Sequence, residues 1–460
     1  MLQSYTYNHK KFNFLKSFPG QLSKNNITVI IGKNGTGKST LLRSIVIDIL
    51  RENVAPTTLK NFNDISVQNR EFLIGRIASK GMPSKIICIS TSPFDKFPIL
   101  KRNQEIPFYS YLGLRGLPSQ NLGLAYMSRI IYTLINSAKQ SSAHARAIAT
   151  VLDYLDYEPE IHIYSTITSP KLIEALTAKS EEESRFLIHQ HLERGAFIPA
   201  ETSIFIRQLV DGDPKTLRQV RKATTRAIEG IKRGLILSIL SRDTAYSPTH
   251  PNILPEDLSL LSRFGIVKLK EVELRKLEAT ENLRMSDMSS GEQSVVMGLL
   301  GIASQLQDNA LICIDEPEVC LHPAWQERYI KLLSHIFSHY RGCHFIIATH
   351  SPQIVAQLPD DKCYVMDMED GVARPSNEFA NRSIDYQLAA LFKAPGFKNE
   401  YLSRISLNIF IRISRDKKIN PEIVEDYNTL VMAYDYLQAD DPVRSIIESI
   451  REMYENYARH

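Results

Sequence analysis

The chain has 460 residues, with 55 Lys and Arg set against 51 Asp and Glu and a formal net charge of +4 at pH 7. Hydrophobic residues make up 43% of it and aromatic residues 8%, the composition expected of a soluble globular protein with two or three domains or one heavily inserted one. Its longest run of apolar residues and glycines, Val295 to Ala303, has nine residues, which excludes a membrane-spanning helix of about 18; a charge so near neutral does not by itself argue for nucleic acid.

The N-terminus, Met1-Leu2-Gln3-Ser4-Tyr5, carries no basic leader and apolar run of the kind that directs export. Cys88, Cys313, Cys320, Cys343 and Cys363 lack paired CxxC spacing, which fits a reducing, cytoplasmic setting better than a disulfide framework or a zinc site. The first informative segment is Ile27-Thr28-Val29-Ile30-Ile31, a β-branched run that predicts a buried strand. Gly32-Lys33-Asn34-Gly35-Thr36-Gly37-Lys38-Ser39-Thr40 follows at once and fits GxxxxGK[ST]. Its glycines free the backbone to aim successive amides at the β- and γ-phosphates of a nucleotide. Lys38 supplies a point charge, Ser39 a hydroxyl for Mg²⁺, and a helix through Leu41, Leu42 and Ile45 begins with its positive end at the phosphates.

Ile86 to Ser90 reads as the next strand. From Leu117 to about Ser262 helical periodicity takes over, interrupted by Pro170, Pro199, Gly212, Pro214, Pro248, Pro251 and Pro255, so that no heptad run persists and a compact helical insertion is expected in place of a coiled-coil arm. One helix is expected from Pro214 to about Leu240. Leu217, Val220, Ala227, Ile231 and Leu235 form its apolar stripe, with Lys215, Arg218, Arg221, Lys222, Arg226, Lys232 and Arg233 around the rest. Such a helix is a candidate for the phosphates of nucleic acid, the bland alternative being a solvated or subunit-facing surface.

Further on, Met288-Ser289-Ser290-Gly291-Glu292-Gln293 opens an apolar helix, with hydroxyl caps and an acid in the first turn. Ala310 to Ile314 is an apolar strand ending in Asp315-Glu316-Pro317-Glu318. In P-loop folds the first acid at such a place holds Mg²⁺ through water and the second polarises the attacking water. A further strand from His344 ends in Thr349-His350-Ser351-Pro352, at the carboxyl end where ligands collect in open α/β sheets. Lys362 to Asp367 reads as the last strand. The tail then turns helical, with Asn420-Pro421 and Asp441-Pro442 as capped starts and Tyr427, Leu430, Val431, Tyr434 and Leu437 on one apolar face, either core or a docking surface.

The ordered set GxxxxGK[ST], SSGEQ, DEPE with Leu321-His322-Pro323, and THSP resembles the ABC-type ATPase heads of the overcoming-lysogenization-defect and RecF-like families, relatives of SMC-like ATPases. The resemblance implies an α/β P-loop head split by an inserted helical domain. Residues 1–116 would form the lobe with the phosphate loop, 117–262 the insertion, 263–375 the rest of the head and 376–460 a helical region that docks a partner. It further implies that the loop from Gly32 to Thr40 holds ATP, that Ser39 and Asp315 hold Mg²⁺, and that Glu316 is the catalytic base and His350 the switch histidine on the γ-phosphate. Ser289, Ser290, Gly291 and Glu292 would form the signature loop, which in such heads faces the nucleotide of another subunit, so at least a dimer is implied. A metal-contacting glutamine is not evident beyond Gln104, nor an aromatic for the adenine beyond Tyr7, Phe12 and Phe14. The tail carries no recognisable Toprim nuclease motif.

Without Toprim or coiled coil, the pattern is similar to the ATPase subunit of Septu-type bacterial anti-phage systems, also found beside some retrons. This implies a homo-oligomeric ATPase that controls a separately encoded HNH nuclease. The rival is a repair or maintenance ATPase that acts on DNA directly; the nucleotide-binding subunit of a transporter fits less well, given the long insertion.

Overall fold

A computed structural model describes residues 1–15, 24–63, 65, 75–79, 81–101, 106–117, 122–140, 142–193, 206, 207, 209–233, 235–238, 255–359, 362–380 and 382–458. Its strands in chain order are β1 (Leu2–Tyr7), β2 (Lys10–Asn13), β3 (Asn26–Ile31), β4 (Arg76–Ser79), β5 (Ile86–Ser90), β6 (Tyr109–Gly113), β7 (Tyr157–Ile167), β8 (Leu235–Ser238), β9 (Val267–Lys276), β10 (Asn282–Arg284), β11 (Leu311–Asp315), β12 (His344–Ala348), β13 (Cys363–Asp367) and β14 (Ala373–Pro375).

A seven-stranded sheet, ordered β14-β13-β3-β12-β11-β5-β6, forms the centre. All its pairings are parallel except β13 with β14. Every residue of β3, β5, β11 and β12 is buried, because parallel strands covered on both faces need continuous apolar runs. In register, Asp315 stands beside Ala348, and Ala348 beside Ile30. The segments that leave these three strands therefore emerge side by side at one edge, as the sequence expects.

One face of the sheet is covered by the helix Lys38–Asn53, whose Leu41, Leu42, Ile45 and Leu50 share a core with β1, Phe12 and Phe14. An antiparallel sheet, β2-β1-β4, lies over that helix, and Tyr5 donates to Asp48 at 2.7 Å to fasten it. The opposite face buries the helices Leu122–Gln140, Ser142–Tyr154, Ser290–Ala303 and Pro323–Ile336. The tail helices Glu400–Asp416, Pro421–Tyr434 and Pro442–Ala458 close a third core of their own, around Leu402, Ile409, Leu430 and Ile447.

The segment 117–262 differs from the helical expectation. It holds β7, eleven residues long, and β8, which pair with each other and, through β7, with β9 to give the sheet β10-β9-β7-β8. A tie of this length between the insertion and the strand that follows it makes the two parts share one core. The basic helix ends at Arg233, and Leu235 to Ser238, expected in that helix, form β8. Leu217, Val220 and Ala227 are buried as the apolar stripe requires.

In the tail, the apolar face read from Tyr427 to Leu437 turns out to be core. Leu430 and Leu437 are buried, and the Tyr427 ring stacks on Tyr454 with centroids 3.8 Å apart. Exposed apolar side chains sit elsewhere, at Leu407, Phe410 and Ile411 on the helix Glu400–Asp416. Asp441 caps its helix, accepting from the amide of Val443 at 2.9 Å.

Candidate functional site

The phosphate loop takes the shape its glycines permit. Gly35 and Gly37 have φ of 80° and 94°, values that a side chain would strain, and Gly37 caps the helix that starts at Lys38. Thr36 closes the turn by donating to the carbonyl of Lys33 at 2.9 Å. The buried Lys38 ammonium uses its three protons on Gly32 O at 2.8 Å, Lys33 O at 3.2 Å and Nδ1 of His350 at 3.2 Å. Burial lowers its pKa to about 8, against the pull of Glu316 and Glu318.

His350 is thereby given a role for each nitrogen. Burial and then the Lys38 charge lower its pKa to about 4, so the ring is neutral at pH 7. Nδ1 accepts from Lys38, which leaves the proton on Nε2. That nitrogen stands 3.8 Å from Oε1 of Glu316. Glu316 itself holds a left-handed φ of 50°, a conformation that costs a non-glycine residue about 1 kcal/mol or more. It is fixed in that shape by donating its amide to Ala348 O at 2.9 Å.

Asp315 is 2% exposed and accepts from the Ser39 hydroxyl at 3.1 Å. Burial, with Glu316 adding to it and the Ser39 bond opposing, raises its pKa to about 7. A carboxylate held so reluctantly beside a hydroxyl is a donor set that a hard divalent cation would satisfy. Lys38, Ser39, Asp315, Glu316 and His350 thus converge at the carboxyl ends of β3, β11 and β12. Gly32, Lys33, Asn34, Gly35, Thr36, Gly37 and Thr40 complete the same loop.

A triphosphate fits here by chemistry: loop amides and a buried ammonium for the phosphates, a hydroxyl and a carboxylate for a cation, a base and an imidazole where the last phosphate ends. The acid strand β11, expected beside the phosphate strand β3, is one strand removed from it: β12, which comes later in the chain, lies between them, so that Asp315 and Glu316 reach the loop past the end of β12. A family model described as "AAA domain, putative AbiEii toxin, Type IV TA system" matches residues 202–356. The "Retron Vc95 probable ATPase" of Vibrio cholerae serotype O1 biovar El Tor is 21% identical over 414 residues, covering 82% of this chain and 76% of that protein. The "Retron Ec83 probable ATPase" of Escherichia coli is 24% identical over 197 residues, 40% of this chain and 32% of its own. The chain is a P-loop ATPase. Among solved structures, an ATP-binding cassette of an ABC transporter in its ADP conformation overlaps 85% of this chain and 94% of its own, at 13% identity and a TM-score of 0.28, too loose an overlap to add to the sheet order above.

In this ATPase the signature residues stand apart from the phosphate loop. Ser289 caps the helix Ser290–Ala303 by accepting from the Glu292 amide. Glu292 accepts from the Tyr157 hydroxyl at 2.7 Å and lies 3.7 Å from Lys276. Among the described residues no hydrogen bond or ion pair joins Ser289, Ser290, Gly291 or Glu292 to the loop. Gly291 instead packs on the turn after β11: a Cβ there would lie 2.7 Å from the carbonyl oxygen of Cys320.

Three contacts of the site carried no signal in the sequence. Lys96 donates to the hydroxyl of Thr40 at 2.9 Å, bringing a second ammonium to the loop from the segment after β5. Gln104 lies outside the described residues. Phe12 and Phe14 are buried and Tyr7 packs into the same core, whereas Tyr436 of the tail, 39% exposed, faces the Lys33 ammonium at 4.3 Å. Glu318 reaches His350 from the turn after β11.

Three arginines of the basic helix have partners within the chain. Arg226 forks onto Asp257 at 2.8 and 2.5 Å, Arg221 donates to the carbonyls of Leu176 and Ala178, and Arg218 pairs with Glu181 at 3.3 Å while 59% exposed. These bonds hold the insertion together, and Arg221 and Arg226 work inward. No helix among the described residues is long and apolar enough to cross a membrane.

Proposed function

We propose that this chain binds and hydrolyses ATP as a homo-oligomer and, through its nucleotide state, controls a separately encoded HNH-type nuclease in bacterial anti-phage defence. The observation that carries the ATPase part is the convergence of Lys38, Ser39, Asp315, Glu316 and His350 at one edge of the sheet. The defence part rests on likeness to the two retron ATPases and on the motif resemblance to Septu-type subunits.

Loop amides and Lys38 bind and orient the triphosphate. Glu316 accepts a proton from the attacking water, and Nε2–H of His350 donates to the last phosphate while Lys38 donates to Nδ1 of the same ring. Ser39 and Asp315 would hold Mg²⁺, which when bound supplies charge neutralisation along the phosphates. The amides at the start of the helix Ser290–Ala303 are free of the chain's own loop, which suits presentation to the nucleotide of a second copy.

The test is co-expression with the adjacent reading frame. Lys38→Ala and Glu316→Gln are expected to abolish phage protection and to change the partner's nuclease activity; if both variants protect and regulate like the wild type, the reading fails. For direct action on DNA, strong salt-sensitive binding by the isolated chain, lost on neutralising Arg218, would be required.

A further inference from the structure

Past Asp315 and Glu316 stands a second glutamate to which the reaction above assigns no part. Glu318 lies in the turn after β11. Its Oε1 accepts from the backbone amide of His350 at 2.5 Å, 32 residues away in sequence. Its Oε2 is buried and reaches no hydrogen-bond partner among the described residues. Burial raises the pKa of this carboxyl, with the His350 amide opposing. A half-satisfied carboxyl inside a protein is destabilising, so its cost has to be offset by what the other oxygen does.

What that oxygen does is join two turns. The turn Glu316–Leu321 is braced within itself by the bonds from Val319 to Glu316 and from Leu321 to Glu318. It touches β12 through the Glu316 amide on Ala348 O. That bond ends where the strand ends. The chain beyond it carries His350, whose ring must stay within reach of both Lys38 and Glu316, and the Glu318 bond to the His350 amide is the tie at that point.

We propose that Glu318 is a positioning residue for recognition of the last phosphate: it pins the His350 main chain to the turn that carries Glu316, so that imidazole, Lys38 and base keep one geometry. This rests on the reading of Glu316 and His350 given above.

The test uses the full chain and two probes, ADP and the non-hydrolysable ATP analogue AMP-PNP, with equilibrium affinities measured by calorimetry. Loss of a hydrogen bond to a charged group predicts that Glu318→Ala weakens AMP-PNP about tenfold, with ADP affinity held. Glu318→Gln, which keeps an acceptor for the His350 amide, recovers most of the loss. His350→Ala weakens AMP-PNP similarly, and adding Glu318→Ala to it brings little more, because the two act through one group. Equal loss of ADP and AMP-PNP in Glu318→Ala, unchanged AMP-PNP affinity, or full additivity with His350→Ala would each overturn the positioning role while leaving the ATPase reading intact. A wild-type chain that binds neither nucleotide overturns both. Melting curves of each variant separate misfolding from the effect sought.

Discussion

Lys38, His350 and Asp315 show how one buried edge sets the charge state of a site before any ligand arrives. With Lys38 lowered to about 8 and His350 to about 4, the working form at pH 7 is a cationic lysine beside a neutral imidazole. Asp315, raised to about 7, moves the other way, and its proton must leave before a cation can bind. Metal-dependent nucleotide binding is therefore expected to strengthen as pH rises through 7 and to weaken about tenfold per unit below it. Titration of Mg²⁺ against the ATP-bound chain between pH 5.5 and 8 measures this, and Asp315→Asn should remove the slope together with most of the affinity. At the same scale, Glu316→Gln is expected to keep ATP binding and lower turnover by about 10²-fold or more, read as phosphate release under saturating ATP. Lys96→Ala should weaken ATP binding by about twofold to fivefold, the effect of one exposed ammonium near a phosphate.

At the scale of elements, the helix Ser290–Ala303 is bound to the chemistry although it touches no phosphate loop in its own chain. Gly291 abuts the carbonyl of Cys320, a residue itself at φ 68°, so this helix start and the turn that holds Glu316 and Glu318 are in van der Waals contact. Gly291→Ala has backbone in its way and is expected to destabilise the chain by about 1–3 kcal/mol, a fall in melting temperature, with turnover falling further than stability because the turn must move. The same scale explains what could be read in advance. The strands β3, β5, β11 and β12 were legible because a buried parallel strand is a short, unbroken β-branched run, and the loop and DEPE motifs are local. Strand β7 was not. Tyr157-Glu158-Pro159-Glu160 opens it with polar and proline residues, it is only half buried, and its partner β9 lies about 100 residues away, so nothing within a local window reports it. The contacts of Lys96, Glu318 and Arg226 were not legible, for the same reason: each is made to a residue distant in sequence. The carboxylates and histidine of the site were legible because each ends a strand.

For the whole molecule, the three cores divide the labour. Two are built on the faces of the central sheet, and the third belongs to the tail. Periodicity alone could not say whether the face from Tyr427 to Leu437 was core or surface, since both demand the same spacing; closure of three helices on one another decided it. The tail is joined to the head near the nucleotide site. Lys393 pairs with Asp367 and Glu369, and Lys33 of the phosphate loop sits over the Tyr436 ring. Tyr436→Ala removes that cation–π contact, worth about 0.5–1 kcal/mol at an exposed position, and is expected to shift ATP affinity by a few-fold with little change in melting temperature, as calorimetry would show.

That contact also sets a rule of reciprocity. If ATP draws the Lys33 ammonium toward its phosphates, it acts on a joint in which the tail has a share, and free-energy coupling between two sites is equal in both directions. A ligand seated on the tail then alters the affinity for ATP by the same factor as ATP alters the affinity for that ligand, whatever the ligand is.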